Sequence, residues 1–361
     1  MDNFKVVGNV VGVPNPKTDT YSKTEINDML STNADKLNSL KYYGDINIVP
    51  SDASLFTFTT DDETMTASVS AASKGISGDI VIPYQYVADD KVYLVTSVAE
   101  NGFAECTRLT GVKMPNSLKI IGNFAFYDCY GLNSINIPYG VTHIWNYAFS
   151  YTQMAEVDIP DSVTYIGEYA FYGCTQLIRV DIPDSVTYMG TQVFSECIAL
   201  EEVALSKNLT DISSGLFKDC STLKKIDISD NVTSINNGAF DGCVNLIGIN
   251  IPDSVTNLGK RTFTECSNIV DITIPSSITN IGDYSFEGCS ALSNVYYTGT
   301  ENEWNAMTIS TTGNDPLLSA TIHYNWVPAK KNYVDEKIGD LETVLDNIIA
   351  IQNTLMGGGS E

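Results

Sequence analysis

Positive charge is scarce in this chain: 20 Lys and Arg stand against 44 Asp and Glu, for a formal net charge of −24. A surface of that sign repels phosphate backbones, and no basic stripe interrupts it, so nucleic acid is not an expected partner. Histidine is scarcer still, with only His143 and His323 among 361 residues. General-base, triad and metal chemistry each ask for more than that, and no close pair of cysteines supplies zinc ligands. Long apolar runs are missing too. None approaches the roughly 18 residues of a membrane helix, and Met1-Asp2-Asn3-Phe4-Lys5 has no basic stretch leading into an apolar one, so neither membrane insertion nor a signal peptide is expected. A glycosidase pair needs carboxyls held about 5 to 9 Å apart across a cleft, whereas most acids here fall in Pro-Asp-Ser turns. The expectation is a protein that is not an enzyme and takes no cofactor or metal.

What the chain has is self-similarity. Phe103, Phe126, Phe149, Phe171, Phe194, Phe217, Phe240, Phe263 and Phe286 recur every 23 residues, with one interval of 22. Leu109, Leu132, Met154, Leu177, Leu200, Leu223, Leu246, Ile269 and Leu292 keep step with them. A repeat of this length signals stacked architecture, because one unit cannot cover its own apolar side while neighbours can. In Leu177-Ile178-Arg179-Val180-Asp181-Ile182, alternation turns Leu177, Val180 and Ile182 inward. Val163-Thr164-Tyr165-Ile166 reads as a second short strand ended by Gly167, and Ala170-Phe171 as a helical turn. All 8 cysteines, from Cys106 to Cys289, lie three residues after a repeat phenylalanine and predict an inward column of free thiols. The unit holding Phe149 is one residue short, and the expectation is that its cysteine is the residue deleted.

With these units on the page, the sequence resembles the BspA-type leucine-rich repeats of bacterial and protist surface proteins, which share the pattern I-P-x-S-V-T-x-I-G-x-x-A-F-x-x-C-x-x-L. The resemblance covers roughly residues 80 to 325, including a closing segment, Tyr296-Tyr297-Thr298-Gly299-Thr300 through Trp304 and then Thr321-Ile322-His323-Tyr324. It implies a mainly β repeat solenoid with short helical turns that binds through an exposed face. Five parts are expected: an N-terminal segment, 1–45; N-terminal cap strands, 46–100; a nine-turn solenoid, 101–297; a C-terminal cap, 298–327; and a C-terminal helix, 328–361.

The outer segments carry heptad spacing. Ile26, Leu30, Asn33, Leu37 and Leu40 follow a capping box of Ser22 and Glu25, and Ile338, Leu341, Leu345, Ile348, Gln352 and Leu355 repeat the spacing at the other end. One polar residue in each seam suits short coiled coils of fixed register, so a homo-oligomer such as a trimer is expected. Tyr21 to Glu25 and Tyr333 to Asp340 also resemble segments of phage or prophage tail-fibre and baseplate proteins. That resemblance implies a receptor-binding part of a virion assembled in the bacterial cytoplasm; the alternative is a BspA-type adhesin at the bacterial cell surface.

Tyrosines crowd the early units, whereas residues 206 to 274 contain neither tyrosine nor tryptophan. The inward columns are aliphatic, Phe and Cys, so these tyrosines belong at outward offsets. His143, Tyr165 and Tyr188 are successive outward residues of the second strand, predicted about 4.8 Å apart. Trp145 stands where most units carry glycine. His143, Trp145, Tyr147, Tyr165, Tyr169 and Tyr188 are therefore the candidate contacts for a cell-surface glycan or protein.

Overall fold

The computed structural model describes residues 48–327, which wind into a β-solenoid of about ten turns with very little helix. The heptad residues Ile26 to Leu40 and Ile338 to Leu355 lie outside the described residues.

Each turn contributes to three parallel ladders. In the first, Glu156–Asp158, Arg179–Asp181 and Glu202–Ala204 pair in register, and Val157, Val180 and Val203 point into the core. The second ladder joins His143–Ile144, Tyr165–Ile166 and Tyr188–Met189 in the same way, with Ile144, Ile166 and Met189 inward. This alternation is what the sequence pattern demands of a strand with one wet face.

The third ladder corrects an expectation. Ala170-Phe171 is not a helical turn, because the residues beside it take left-handed φ, 57° at Tyr169 and 65° at Gly173. That backbone cannot continue a right-handed helix. It instead aims the N–H groups of Tyr169, Phe171 and Gly173 at the carbonyls of Thr191, Val193 and Ser195 of the next turn, 2.9, 3.0 and 2.9 Å away. Among the described residues the only α-helices are Glu301–Ala306 and Asp315–Ser319.

The nine repeat phenylalanines are fully buried and form one pile, with ring centroids from 5.2 to 5.9 Å apart. Beside it runs the cysteine column, every thiol free and buried. Each sulfur from the second onward meets the carbonyl of the preceding phenylalanine, as Cys220 Sγ does Phe194 O at 3.0 Å. The short unit did not lose its cysteine position. Thr152 sits there, buried, with its hydroxyl 2.8 Å from Phe149 O and 3.3 Å from Cys174 Sγ, and the missing residue falls between it and Met154.

At the N-terminal end Phe56–Asp61 pairs antiparallel with Thr66–Ala71, which joins the second ladder by parallel pairing to Lys91–Val98. Phe56 packs edge-on against Phe103, the first ring of the pile. Across the whole N-terminal half the second ladder is thus one continuous sheet, from Phe56–Asp61 to Tyr188–Met189. Its outward residues form a lateral row: Ser68, Ser97, Ile120, His143, Tyr165 and Tyr188.

Candidate functional site

The six candidate residues separate into two stacks. Tyr165 and Tyr188 lie in neighbouring strands with ring centroids 4.8 Å apart and planes within 9°. His143 is 5.6 Å from Tyr165 on the other side. Trp145 joins this group, 5.6 Å from His143 and 5.1 Å from Tyr165. Ser213 and Asn236 also replace the usual glycine at the Trp145 offset, so the departure is not confined to one turn. What sets Trp145 apart is the aromatic contact it makes.

Tyr147 and Tyr169 belong to the third ladder. They stack at 4.5 Å, and Phe124 continues the pile at 4.8 Å from Tyr147. The pile ends at Gln192, whose amide donates to the Tyr169 hydroxyl at 2.9 Å. Tyr127, Tyr151 and Tyr172 meet it edge-on or extend it. Phe124 lies outside the tyrosine and tryptophan pattern that marks the other outward rings. Its signal was its offset, two residues before Phe126 as Tyr147 is before Phe149.

Phe124, Tyr147, Tyr151 and Tyr169 all hold left-handed φ between 53° and 62°. Large side chains rarely take that conformation. At the Tyr147 offset later turns use Gly215 and Gly238, and at the Tyr151 offset Gly173, Gly242 and Gly288. The ring contacts of about 0.5–1.5 kcal/mol per pair offset the backbone cost, so this belt has a structural reason to exist. The Tyr172 phenol, pushed up first by burial and then by its hydrogen bond to the Glu196 carboxylate, is locked in place rather than offered to a partner. In the Tyr165 row the rings are less committed: Tyr188 is 46% exposed, and the next turn presents Asp211, outside the ladder, instead of another ring.

Stacking along the solenoid axis has a geometric consequence. Rings piled in parallel spend their faces on each other and show only rims to solvent. In the row of Tyr165 the ring faces come free where the row ends, at Tyr188 towards the C-terminus and at Trp145, which lines a groove towards the N-terminus. Against Trp145 lies an open groove of about 390 Å³, lined also by Ser68, Ser97, Val98, Ala99, Glu100, Ile120, Gly122 and Asn123. Gly122 lets its turn approach the one before closely, since a Cβ there would meet Val98 O at 2.7 Å and Glu100 N at 2.9 Å. Among the described residues no group of His, Cys, Asp and Glu could hold a metal ion.

Comparison with known proteins matches the pattern described as "BspA type Leucine rich repeat region" in 6 copies, over residues 96–224 and 210–323. Among solved structures, a leucine-rich repeat protein from Bacteroides ovatus is 29% identical with a TM-score of 0.67, covering 78% of this chain and 72% of its own. The leucine-rich repeat protein of T. pallidum is 25% identical, with a TM-score of 0.44 over 68% of this chain and 91% of its own. The pneumococcal vaccine antigen PcpA is 16% identical, with a TM-score of 0.39 over 75% of this chain and 97% of its own. No curated protein matches the sequence.

Proposed function

The chain belongs to the BspA-type leucine-rich repeat family, and from that premise we propose that it is a non-enzymatic surface-binding protein of the adhesin kind. The family is a binding scaffold, which supports adhesion over the tail-fibre reading, since that reading leaned on short terminal segments outside the described residues. The observation that carries the proposal is the outward row of His143, Trp145, Tyr165 and Tyr188. His143, Tyr165 and Tyr188 are rigid aromatic groups held in register on consecutive strands, with Trp145 packed against the first two and Tyr188 half exposed. Such side chains offer contact area with little rotamer entropy to lose on binding.

The reading is tested by measuring how a fluorescently labelled chain binds to epithelial and bacterial cells by flow cytometry. Tyr165→Ala and Tyr188→Ala are expected to weaken binding by about 1–3 kcal/mol, the usual range for truncating an interface anchor. Thermal stability should fall by no more than the ring contacts each variant removes, about 0.5–1.5 kcal/mol per pair, because both rings lie outside the buried core. Ser234→Ala, at the same offset on a turn without tyrosine or tryptophan, is the control. Equal losses at the tyrosine and control positions, or no binding to any cell, would remove the proposal.

A further inference from the structure

We propose that the groove beside Trp145 is a saccharide subsite, in which one neutral pyranose unit of a glycan stands against the indole. This rests on the surface-binding reading and names its ligand class.

Three observations converge on the groove. The first is the aromatic wall. Trp145 lines it on the side of the following turns, and Tyr165 packs on the indole at 5.1 Å, bracing it. Sugar rings present axial C–H groups to such a surface, and a braced indole loses little freedom when it accepts them.

The second is the set of polar groups opposite. Pairing of Thr66–Ala71 with Lys91–Val98 shifts register between Ala67 and Ser68, skipping Thr96 and placing Ser68 beside Ser97. Bulges of this kind re-aim side chains and recur next to functional sites. Both hydroxyls line the groove, and neither makes a hydrogen bond to another described residue. Asn123 uses its Oδ1 to accept the Asn146 N–H at 3.2 Å, which leaves its Nδ2 donors uncommitted. Glu100 adds an exposed carboxylate.

The third is what the lining lacks. It contains no Lys, Arg or His, and the chain carries a net charge of −24, so carboxylated and phosphorylated ligands find no counter-charge. A cationic side chain would satisfy Glu100 but would meet the Asn123 donors with nothing for them to bind. Two hydroxyls that donate and accept, an amide donor and a carboxylate acceptor match a ligand whose own groups do both, as sugar hydroxyls do. The groove opens onto the aromatic row, since Ser97, Ile120 and His143 are consecutive in the sheet. A linear glycan can thus enter at Ser68 and continue across the strands towards Tyr188, about 4.8 Å per strand.

The test is a tryptophan-fluorescence titration of the full chain with short cello-, malto-, manno-, chito- and galacto-oligosaccharides, with a sialylated oligosaccharide and a trilysine peptide as competing chemistries. At least one neutral series should change the emission saturably, and the change should vanish in Trp145→Phe. The double variant Ser68→Val, Ser97→Val should bind about tenfold more weakly, the loss of roughly 1.4 kcal/mol expected for hydrogen bonds no longer made. Its thermal unfolding should match that of the unaltered chain. A response confined to the sialylated sugar or to trilysine overturns the proposal, as does a flat titration with every neutral series. Neutral-sugar binding that survives the double serine variant at full strength does so too. If Tyr165→Ala still weakens cell binding while no sugar binds, the surface-binding reading stands and the saccharide subsite falls.

Discussion

From Cys129 onward, each column cysteine is a hydrogen-bond donor as well as a filler, since its sulfur meets a phenylalanine carbonyl of the turn before at 3.0 to 3.2 Å. Burial pushes these thiols up, Cys106 to about 11 and Cys129, Cys174 and Cys289 to about 12. An unfolded thiol ionises near pH 8.5. Above about that pH the unfolded chain has released protons that the folded chain still holds, so stability falls as pH rises towards 12 and is flat below. Thermal melts from pH 7 to 11 should show that plateau and decline, and a midpoint that rises above pH 9 would contradict it. In native titration few thiols should react, rising to the full 8 on denaturation. Thr152→Cys extends the column without changing its geometry. It should add one slow thiol and shift stability by less than about 1.5 kcal/mol, as a near-isosteric core change does. Truncation is different: Phe217→Ala opens a cavity between Phe194 and Phe240 that neither turn can fill. It should cost on the order of 3–5 kcal/mol in denaturant unfolding.

At the scale of strands, the ladders are not uniform. Between the turns of Phe194 and Phe217 the strands of the first ladder stop at Glu202–Ala204, and the second stops at Tyr188–Met189 without reaching Asp211–Ile212. The phenylalanine pile is widest at the same step, 5.9 Å. Only the third ladder runs through, by Gln192 N–H to Ser214 O, Phe194 N–H to Leu216 O and Glu196 N–H to Lys218 O. A groove of about 330 Å³ opens in the first ladder there, lined by Arg179, Glu202, Lys224 and Lys225 among others. Leu205-Ser206 and Ile228-Ser229 replace Ile-Pro in these two turns. Side-chain amides take over as ties, Asn208 to Asp184 O and Asn231 to Lys207 O, each at 2.7 Å. Fewer backbone bonds across one step mean a lower local opening free energy. Hydrogen exchange should therefore run faster around Asp211 and Ile226 than around Ile166 and Val180, and uniform protection along the stack would refute this.

For the molecule as a whole, one core cluster runs from Phe56 to Leu317 among the described residues. A chain trimmed to residues 48–327 should keep the β-rich circular dichroism and melting midpoint of the full chain. Its mass in solution decides the proposal that the heptads at Ile26 to Leu40 and Ile338 to Leu355 join chains: a full-length oligomer should become a monomer on trimming, and an unchanged mass would reject it.

The repeat phase, the inward columns and the free thiols were legible in the sequence, because every turn puts the same residue types at the same offsets and the same burial follows. The aromatic row His143, Tyr165 and Tyr188 was legible for that reason too, as register follows once offsets match. Other features needed the tertiary structure. The left-handed third ladder is one, since Phe, Tyr and Gln give no local sign of positive φ and accept it only because the next turn supplies carbonyls. Assigning Tyr147 and Tyr169 to a separate stack from Tyr165 is another, decided by which ladder each residue joins. The groove beside Trp145 was hidden most completely. Ser68, Ser97 and Asn123 come from segments far apart in the chain, and only the bulge at Thr96 and the close approach at Gly122 bring them to one wall.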